Sequence, residues 1–267
     1  MALIELRLFG EVINKVDIAI SRLKSFEPPE GYYLAFSGGK DSIVIYKLAE
    51  MSGVKFDAHF NYTTVDPPEV VRFIRENYPS VEIHRPKESM FKLIVKNRFP
   101  PTRIARYCCV ALKERGGAGR FVVTGIRWAE SHKRTGRKMV HTCYKDKHKK
   151  YLHPIIDWSD AEIWEFIKKY NLKYCCLYDK GYRRIGCVLC PLKSYKDRIR
   201  DIKRYPNFYR AYLKAFREML NVIKSEGRST IWKDENDVMK WWLYSGTNRK
   251  LPKNNMQLID YRESEEK

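Results

Sequence analysis

No run of apolar residues in this sequence approaches the roughly 20 needed to cross a bilayer, which argues against a helical membrane protein. The N-terminal residues are not expected to form a secretory leader. Met1 to Leu23 instead spaces Leu6, Val12, Ile13, Val16, Ile20 and Leu23 as an amphipathic helix would, so the expected location is the cytoplasm. Acidic residues are in short supply, 32 against 52 Lys and Arg, leaving a net charge of +20. A surplus this large suggests a polyanionic partner, most simply DNA or RNA, because phosphate neutralisation releases counterions. Cysteine is sparse and odd in number: Cys108, Cys109, Cys143, Cys175, Cys176, Cys187 and Cys190. In a cytoplasmic chain that count argues against a disulfide framework and for metal or thiol chemistry. No internal repeat or low-complexity segment stands out.

What is present is an ordinary globular balance, 44% hydrophobic and 31% charged over 267 residues. That length suits one α/β domain with a small appendage. After a helix-like N-terminal segment (1–30), Tyr32 to Phe36, Phe56 to Tyr62, Val81 to His84 and Phe121 to Ile126 read as strands. Between and after them, Ile43 to Met51, Pro67-Pro68 to about Asn77, Met90 to Lys96 and Ala161 to Lys169 read as helices, the last capped by Ser159 or Asp160. Alternation of this kind predicts a mostly parallel sheet with helices on both faces, over residues 31–200. Residues 201–267 carry helical patterns at Tyr205 to Lys224 and Glu235 to Tyr244, and are expected to form a C-terminal helical appendage that ends in a frayed tail at Glu263 to Lys267.

The most informative string is Ser37-Gly38-Gly39-Lys40-Asp41-Ser42, between the first strand and the next helix. A parallel sheet binds ligands at this position. Gly38 and Gly39 let backbone N–H groups approach phosphate oxygens, and the helix N-terminus adds partial positive charge. Ser37 and Ser42 can donate hydroxyl hydrogen bonds, and Lys40 can pair with a phosphate. Asp41 beside anions makes sense as a helix cap or a Mg²⁺ ligand. Trp158 and Trp164 are expected in the core, and Asn61 to Thr64, with Thr63 among them, follow the second strand where base or ribose contacts are usual.

The string Ser-Gly-Gly-Lys-Asp-Ser resembles the signature of the PP-loop ATP pyrophosphatases. Gly125-Ile126-Arg127-Trp128-Ala129-Glu130-Ser131 with Arg134, His153-Pro154-Ile155-Ile156-Asp157-Trp158-Ser159, and Leu177-Tyr178 to Gly186-Cys187 resemble segments of one branch, the phosphoadenylylsulfate (PAPS) and adenylylsulfate (APS) reductases. The resemblance covers roughly residues 30 to 191 and implies a Rossmann-like, adenine nucleotide alpha-hydrolase-like fold. It also implies binding of ATP, APS or PAPS, with Arg127 and Arg134 as bidentate contacts to phosphate or sulfate, Glu130 and Ser131 orienting Arg134 or binding ribose hydroxyls, and Gly125 in the nucleotide site.

Cys187-x-x-Cys190 is spaced to hold one metal or cluster. Read on the residues alone, Cys175 and Cys176 could complete a zinc site, or remain buried small hydrophobes. The resemblance to adenylylsulfate reductases, which place an adjacent Cys-Cys about eighty residues before a Cys-x-x-Cys, implies instead a [4Fe–4S] cluster on Cys108, Cys109, Cys187 and Cys190. Lys113 and Arg106 could offset its charge. Cys143, in a basic loop, could accept a persulfide.

The sulfate-reducing members use a C-terminal cysteine as nucleophile, and this sequence has none after Cys190. Two basic stretches interleaved with tyrosines, His132 to Lys150 and Arg183 to Arg204, suit a nucleic-acid backbone. The leading expectation is therefore an ATP pyrophosphatase-type sulfur-transfer enzyme that adenylates nucleic acid, as in DNA phosphorothioation or tRNA thiolation, with Mg²⁺ and a cysteine desulfurase as sulfur donor. Two alternatives are an APS or PAPS reductase with an unusual nucleophile and a non-catalytic, nucleotide-regulated nucleic-acid-binding module.

Overall fold

A computed structural model describes residues 3–6, 12–144 and 146–244. In chain order the elements are β1 (Ile4–Leu6), β2 (Val12–Asn14), α1 (Lys15–Ser25), β3 (Tyr32–Ala35), α2 (Lys40–Ser52), β4 (Phe56–Asn61), α3 (Pro68–Asn77), β5 (Glu82–His84), α4 (Met90–Asn97), α5 (Tyr107–Leu112), β6 (Phe121–Val123), β7 (Val140–Thr142), β8 (Lys150–Leu152), α6 (Asp160–Lys169), α7 (Tyr195–Arg204), α8 (Pro206–Ser225) and α9 (Glu235–Tyr244). No helix among the described residues is long and apolar enough to cross a membrane.

The first compact unit comprises residues 1–90 and 107–188. Its sheet has the order β5-β4-β3-β6-β8-β7, parallel throughout except for β7, which runs antiparallel to β8 at the edge. From β3 the chain goes one way to β4 and β5, then returns to the other side as β6. The crevice at the carboxyl ends of β3 and β6 is thus a topological switch point, where ligands bind in sheets of this kind. Tyr32, Leu34, Ala58, Phe60 and Val123 alternate into a buried core with Val16, Ala19 and Leu23 of α1, Ile43, Val44 and Leu48 of α2, and Ile163 and Phe166 of α6.

The expected N-terminal helix is shorter at its start: β1 and β2 form a separate antiparallel pair, and α1 begins only at Lys15. Asn14 explains the boundary, since its side chain accepts from the Val16 N–H (3.1 Å) as a helix cap does. Leu6 is backbone-paired in β1, and the expected tail at Glu263 to Lys267 lies outside the described residues. On α1, Arg22 binds Asp157 through both nitrogens (2.7 and 3.0 Å) and the Pro154 carbonyl (2.8 Å), tying the helix to the segment before α6. Burial pushes the Asp157 carboxyl up, but Arg22 and Lys15 outweigh it and hold the group below its usual 3.8. A depressed carboxylate contributes stability that is complete above pH 3.8 and lost as pH falls through the lower folded value. Arg22→Ala is therefore expected to cost about 1 kcal/mol near neutrality and to flatten the acid limb of a stability–pH curve below pH 4. Chemical denaturation at a series of pH values measures both.

The second unit takes in residues 91–106 and 189–267, so α4 from Phe91 onward and the segment that follows it, read from sequence as part of the nucleotide domain, belong with the C-terminal helices. Its core is aromatic. Trp242 packs on Tyr212 (4.9 Å between centroids) and Phe216 (5.4 Å), and its indole donates to the Pro101 carbonyl (2.5 Å). Trp232 and Trp241 both pack on Phe99. Arg198 is 1% exposed, stacks over Trp242 and donates to the Trp242 and Leu243 carbonyls.

Candidate nucleotide site

Ser37 to Ser42 fold as a strand-to-helix loop. Gly38 has φ of +70°, which an L side chain resists, and a Cβ there would meet Val70 and Ile74 at 3.0 Å. Gly39 caps α2 with its backbone alone. The Ser42 hydroxyl donates to the Gly39 carbonyl (2.8 Å) and accepts from the Ser37 N–H and hydroxyl (3.2 Å each), so the loop shape is set internally. The Lys40 N–H is held by the Tyr178 hydroxyl (2.8 Å).

The charged groups form one network. Arg127, on the segment after β6, is 1% exposed. Its Nε donates to Asp41 (2.7 Å), one terminal nitrogen to Asp160 (2.6 Å) and the other to the Trp158 carbonyl (2.9 Å). Lys40 Nζ stands 3.1 Å from Asp160 and 3.5 Å from Asp41. Burial pushes the Asp160 carboxyl up, but Arg127 and Lys40 outweigh it and its pKa is lowered. Asp160 is free for this because Ser159, not Asp160, caps α6 through a reciprocal capping box with Glu162.

Next to this network Glu130 accepts from the Arg127 N–H (3.0 Å) and forms an ion pair with Arg134. Burial pushes the Arg134 guanidinium down to about 10, and repulsion from Arg184 and Arg137 acts in the same direction. Like charges gathered in a partly buried place are unfavourable alone and favour an anion. Ser131 is exposed at the turn between two short 3₁₀ helices, its carbonyl accepting from the Arg134 N–H (2.8 Å). Gly125 lies against α2: a Cβ there would come within 2.9 Å of the Asp41 Cβ and carbonyl carbon. Gly125→Ala is expected to displace Asp41, cost about 1–3 kcal/mol as overpacking does, and weaken binding of a nucleotide at this loop at least tenfold, measurable by calorimetric titration.

Other expected residues fall elsewhere. Thr63, expected near the base or ribose, is fully buried; its hydroxyl stands 3.4 Å from Cys187 Sγ and its N–H donates to Asp66 (2.6 Å). Trp158 is in the core, and Trp164 packs edge-on against Tyr178. Tyr178 and Asp160 are the two members of the site that sequence reading did not assign. Their only signal was membership of the Leu-Tyr and Asp-Trp-Ser-Asp strings.

Cys108 and Cys187 are buried and Cys109 partly so, in the first unit; Cys190, partly buried, is in the second. Cys175 is 1% exposed, and burial pushes its thiol up to about 11, as suits a small inert hydrophobe, whereas Cys176 is exposed. In the basic stretch before Lys150, Lys149 is buried and donates to the Glu114 and Gly116 carbonyls (3.1 and 2.5 Å), so it serves the fold. Lys133, Arg137, Lys138, Lys147 and Lys150 are exposed, and Lys145 lies outside the described residues.

Residues 31–193 match the phosphoadenosine phosphosulfate reductase domain model. The chain belongs to that family. A probable FAD synthase of Schizosaccharomyces pombe is 30% identical over 66% of this chain and 67% of its own. An uncharacterized Methanocaldococcus jannaschii protein is 28% identical over 69% of this chain, which spans only 41% of that relative's length. In fold, the chain matches the PAPS reductase of Candida auris, solved as a phosphate complex, with a TM-score of 0.50 at 20% identity over 63% of this chain and 87% of that one. The sheet, loop and flanking helices are thus those of the adenine nucleotide alpha-hydrolase-like fold, and the family is one of nucleotide-binding enzymes.

Proposed function

We propose that this domain binds Mg–ATP, splits it between the α and β phosphates, and adenylates an oxygen of a nucleic-acid substrate for sulfur transfer. The observation that carries this reading is the convergence of Asp41 and Asp160 on Lys40 and Arg127 at the glycine loop. Cations alone would serve a sulfate ester; paired carboxylates beside them suit a nucleotide that arrives with a divalent ion. Asp41 and Asp160 would hold Mg²⁺, which would neutralise phosphate charge. Asp160, with its side chain 72% exposed, is placed to release Lys40 to a phosphate oxygen. In the reaction a substrate oxygen attacks the α-phosphorus, its bond to the α–β bridging oxygen breaks, and pyrophosphate leaves. Lys40 stabilises the charge that builds there, while Arg127, expected from the resemblance to contact phosphate or sulfate directly, has its nitrogens engaged by Asp41, Asp160 and the Trp158 carbonyl and acts by holding the two carboxylates in place. The terminal sulfur of a persulfide supplied by a cysteine desulfurase would then displace AMP, and a second thiol would reduce the resulting carrier–product disulfide to free the thiolated product.

The thiols Cys108, Cys109, Cys187 and Cys190 are proposed to hold a [4Fe–4S] cluster, on the Cys187-x-x-Cys190 spacing and the likeness to adenylylsulfate reductases alone. Protein purified without oxygen is expected to carry about four iron per chain, lost in Cys187→Ala; zinc in its place would overturn the assignment. The adenylation itself is tested by transfer of label from α-phosphate-labelled ATP to DNA or tRNA. The exposed lysines and arginines of the Lys133–Lys150 stretch are the proposed contact, so binding should weaken steeply with salt. Sulfite release from APS without any ATP cleavage would favour the reductase reading that family membership also allows.

A further inference from the structure

The glycine loop uses only the carboxyl ends of β3 and β6. A second group of chemically active side chains stands on the neighbouring strands and takes no part in the network above. In β4 and β5 the register sets His59 beside Glu82 and Asn61 beside His84. Alternation then puts Asp57, His59, Glu82 and His84 on one face, opposite the buried Ala58 and Phe60. Their atoms meet. His59 Nδ1 is 2.7 Å from His84 Nε2 and 3.4 Å from Glu82 Oε2. His59, His84 and Glu82 each offer one ligand atom, and these lie within 4.8 Å of one another.

The surroundings fix the chemistry of His59. Its ring is stacked on Tyr33, 4.0 Å between centroids and 6° from parallel, and the residue is 7% exposed. Its Nε2 is hydrogen-bonded to Asp57, whose carboxylate is gripped by Arg120 through both terminal nitrogens (2.8 and 2.6 Å). A carboxylate at Nε2 keeps the proton there and turns the Nδ1 lone pair outward. This is the arrangement of a metal-bound histidine with its carboxylate support. His84 and Glu82 have side chains 39% and 65% exposed, so the open side faces solvent and gives a cation both a way in and room for water.

We propose that His59 Nδ1, His84 Nε2 and Glu82 form a divalent transition-metal site of zinc type, with Asp57 as its positioning residue. Two imidazoles and a carboxylate are the donor set of an open four-coordinate zinc centre, at roughly 2.0–2.2 Å from the ion. The two nitrogens, now 2.7 Å apart, would separate by about 0.6 Å to admit a tetrahedral ion. The site is distinct from the proposed cysteine ligands in both residues and donor type. Softer thiolates and harder nitrogen–oxygen sets leave different signatures.

Co²⁺ as a spectroscopic substitute for Zn²⁺ tests this on the full chain. The expected result is one Co²⁺ per chain with visible d–d bands, without thiolate charge-transfer absorption, and unaffected by Cys187→Ser. His84→Ala and Glu82→Gln alter half-exposed side chains and should fold, with unchanged circular dichroism; each is expected to lower Co²⁺ and Zn²⁺ affinity at least tenfold. Asp57→Asn should weaken binding roughly 10–100-fold through the ring it orients. Equal Co²⁺ affinity in the parent chain and His84→Ala would overturn the proposal, leaving a plain histidine–histidine hydrogen bond. So would absorption of thiolate type alone, abolished by Cys187→Ser.

Discussion

Arg127→Met is expected to disable the nucleotide site and to destabilise the first unit in one step. The guanidinium is 1% exposed and spends its three nitrogens on Asp41, Asp160 and the Trp158 carbonyl. Removing it leaves two carboxylates facing each other near Lys40 and one buried carbonyl without its donor. Breaking a buried pair costs about 3–5 kcal/mol, and the exposure of Asp160 puts this case at the lower end, about 3 kcal/mol. For a chain of this size that is a fall of about 6–12 °C in melting temperature. ATP binding should be lost even at temperatures where the variant is folded, because Asp41 and Asp160 are no longer held in place for Mg²⁺. Arg127→Lys should recover little of either, since an ammonium cannot span three acceptors. Calorimetric melting and nucleotide titration on the same preparations check the two effects separately.

Lys40→Ala is expected to separate catalysis from stability. Lys40 Nζ lies at 3.1–3.5 Å from carboxylates that Arg127 continues to neutralise when the lysine is gone. Stability should therefore change by no more than about 1 kcal/mol. Loss of a fixed cation from the charge that develops on the phosphates should lower turnover by about 10²–10³-fold. Steady-state kinetics should place most of that loss in kcat. Turnover within threefold of the parent chain would remove Lys40 from the mechanism.

The glycine loop was legible because its geometry is local: a strand, two glycines and a helix start in consecutive residues. The strands β3 to β6 were legible for a similar reason, being short apolar runs between turns. β7 and β8 were not. Each has three residues and lies within a strongly basic stretch, and their pairing is a tertiary choice. The roles of Asp160 and Tyr178 were hidden by distance, since each reaches the loop from well over 100 positions along the chain. Asp160 also looked like a cap, and only the capping box of Ser159 shows that it is available for Lys40 and Arg127. The charge count of +20 overstated the free basic surface, because Arg127, Lys149 and Arg198 are all buried in internal roles. The histidines of β4 and β5 carried no spacing signal at all; the sheet register brings them together.

The central claim concerns which bond of which nucleotide is broken. Incubating the protein with Mg–ATP and either DNA or tRNA, and resolving the products, decides it most directly. The account predicts AMP and pyrophosphate in equal amounts, stimulated by nucleic acid and abolished by Lys40→Ala. Release of ADP and phosphate, or no ATP cleavage alongside sulfite formation from APS, would contradict it.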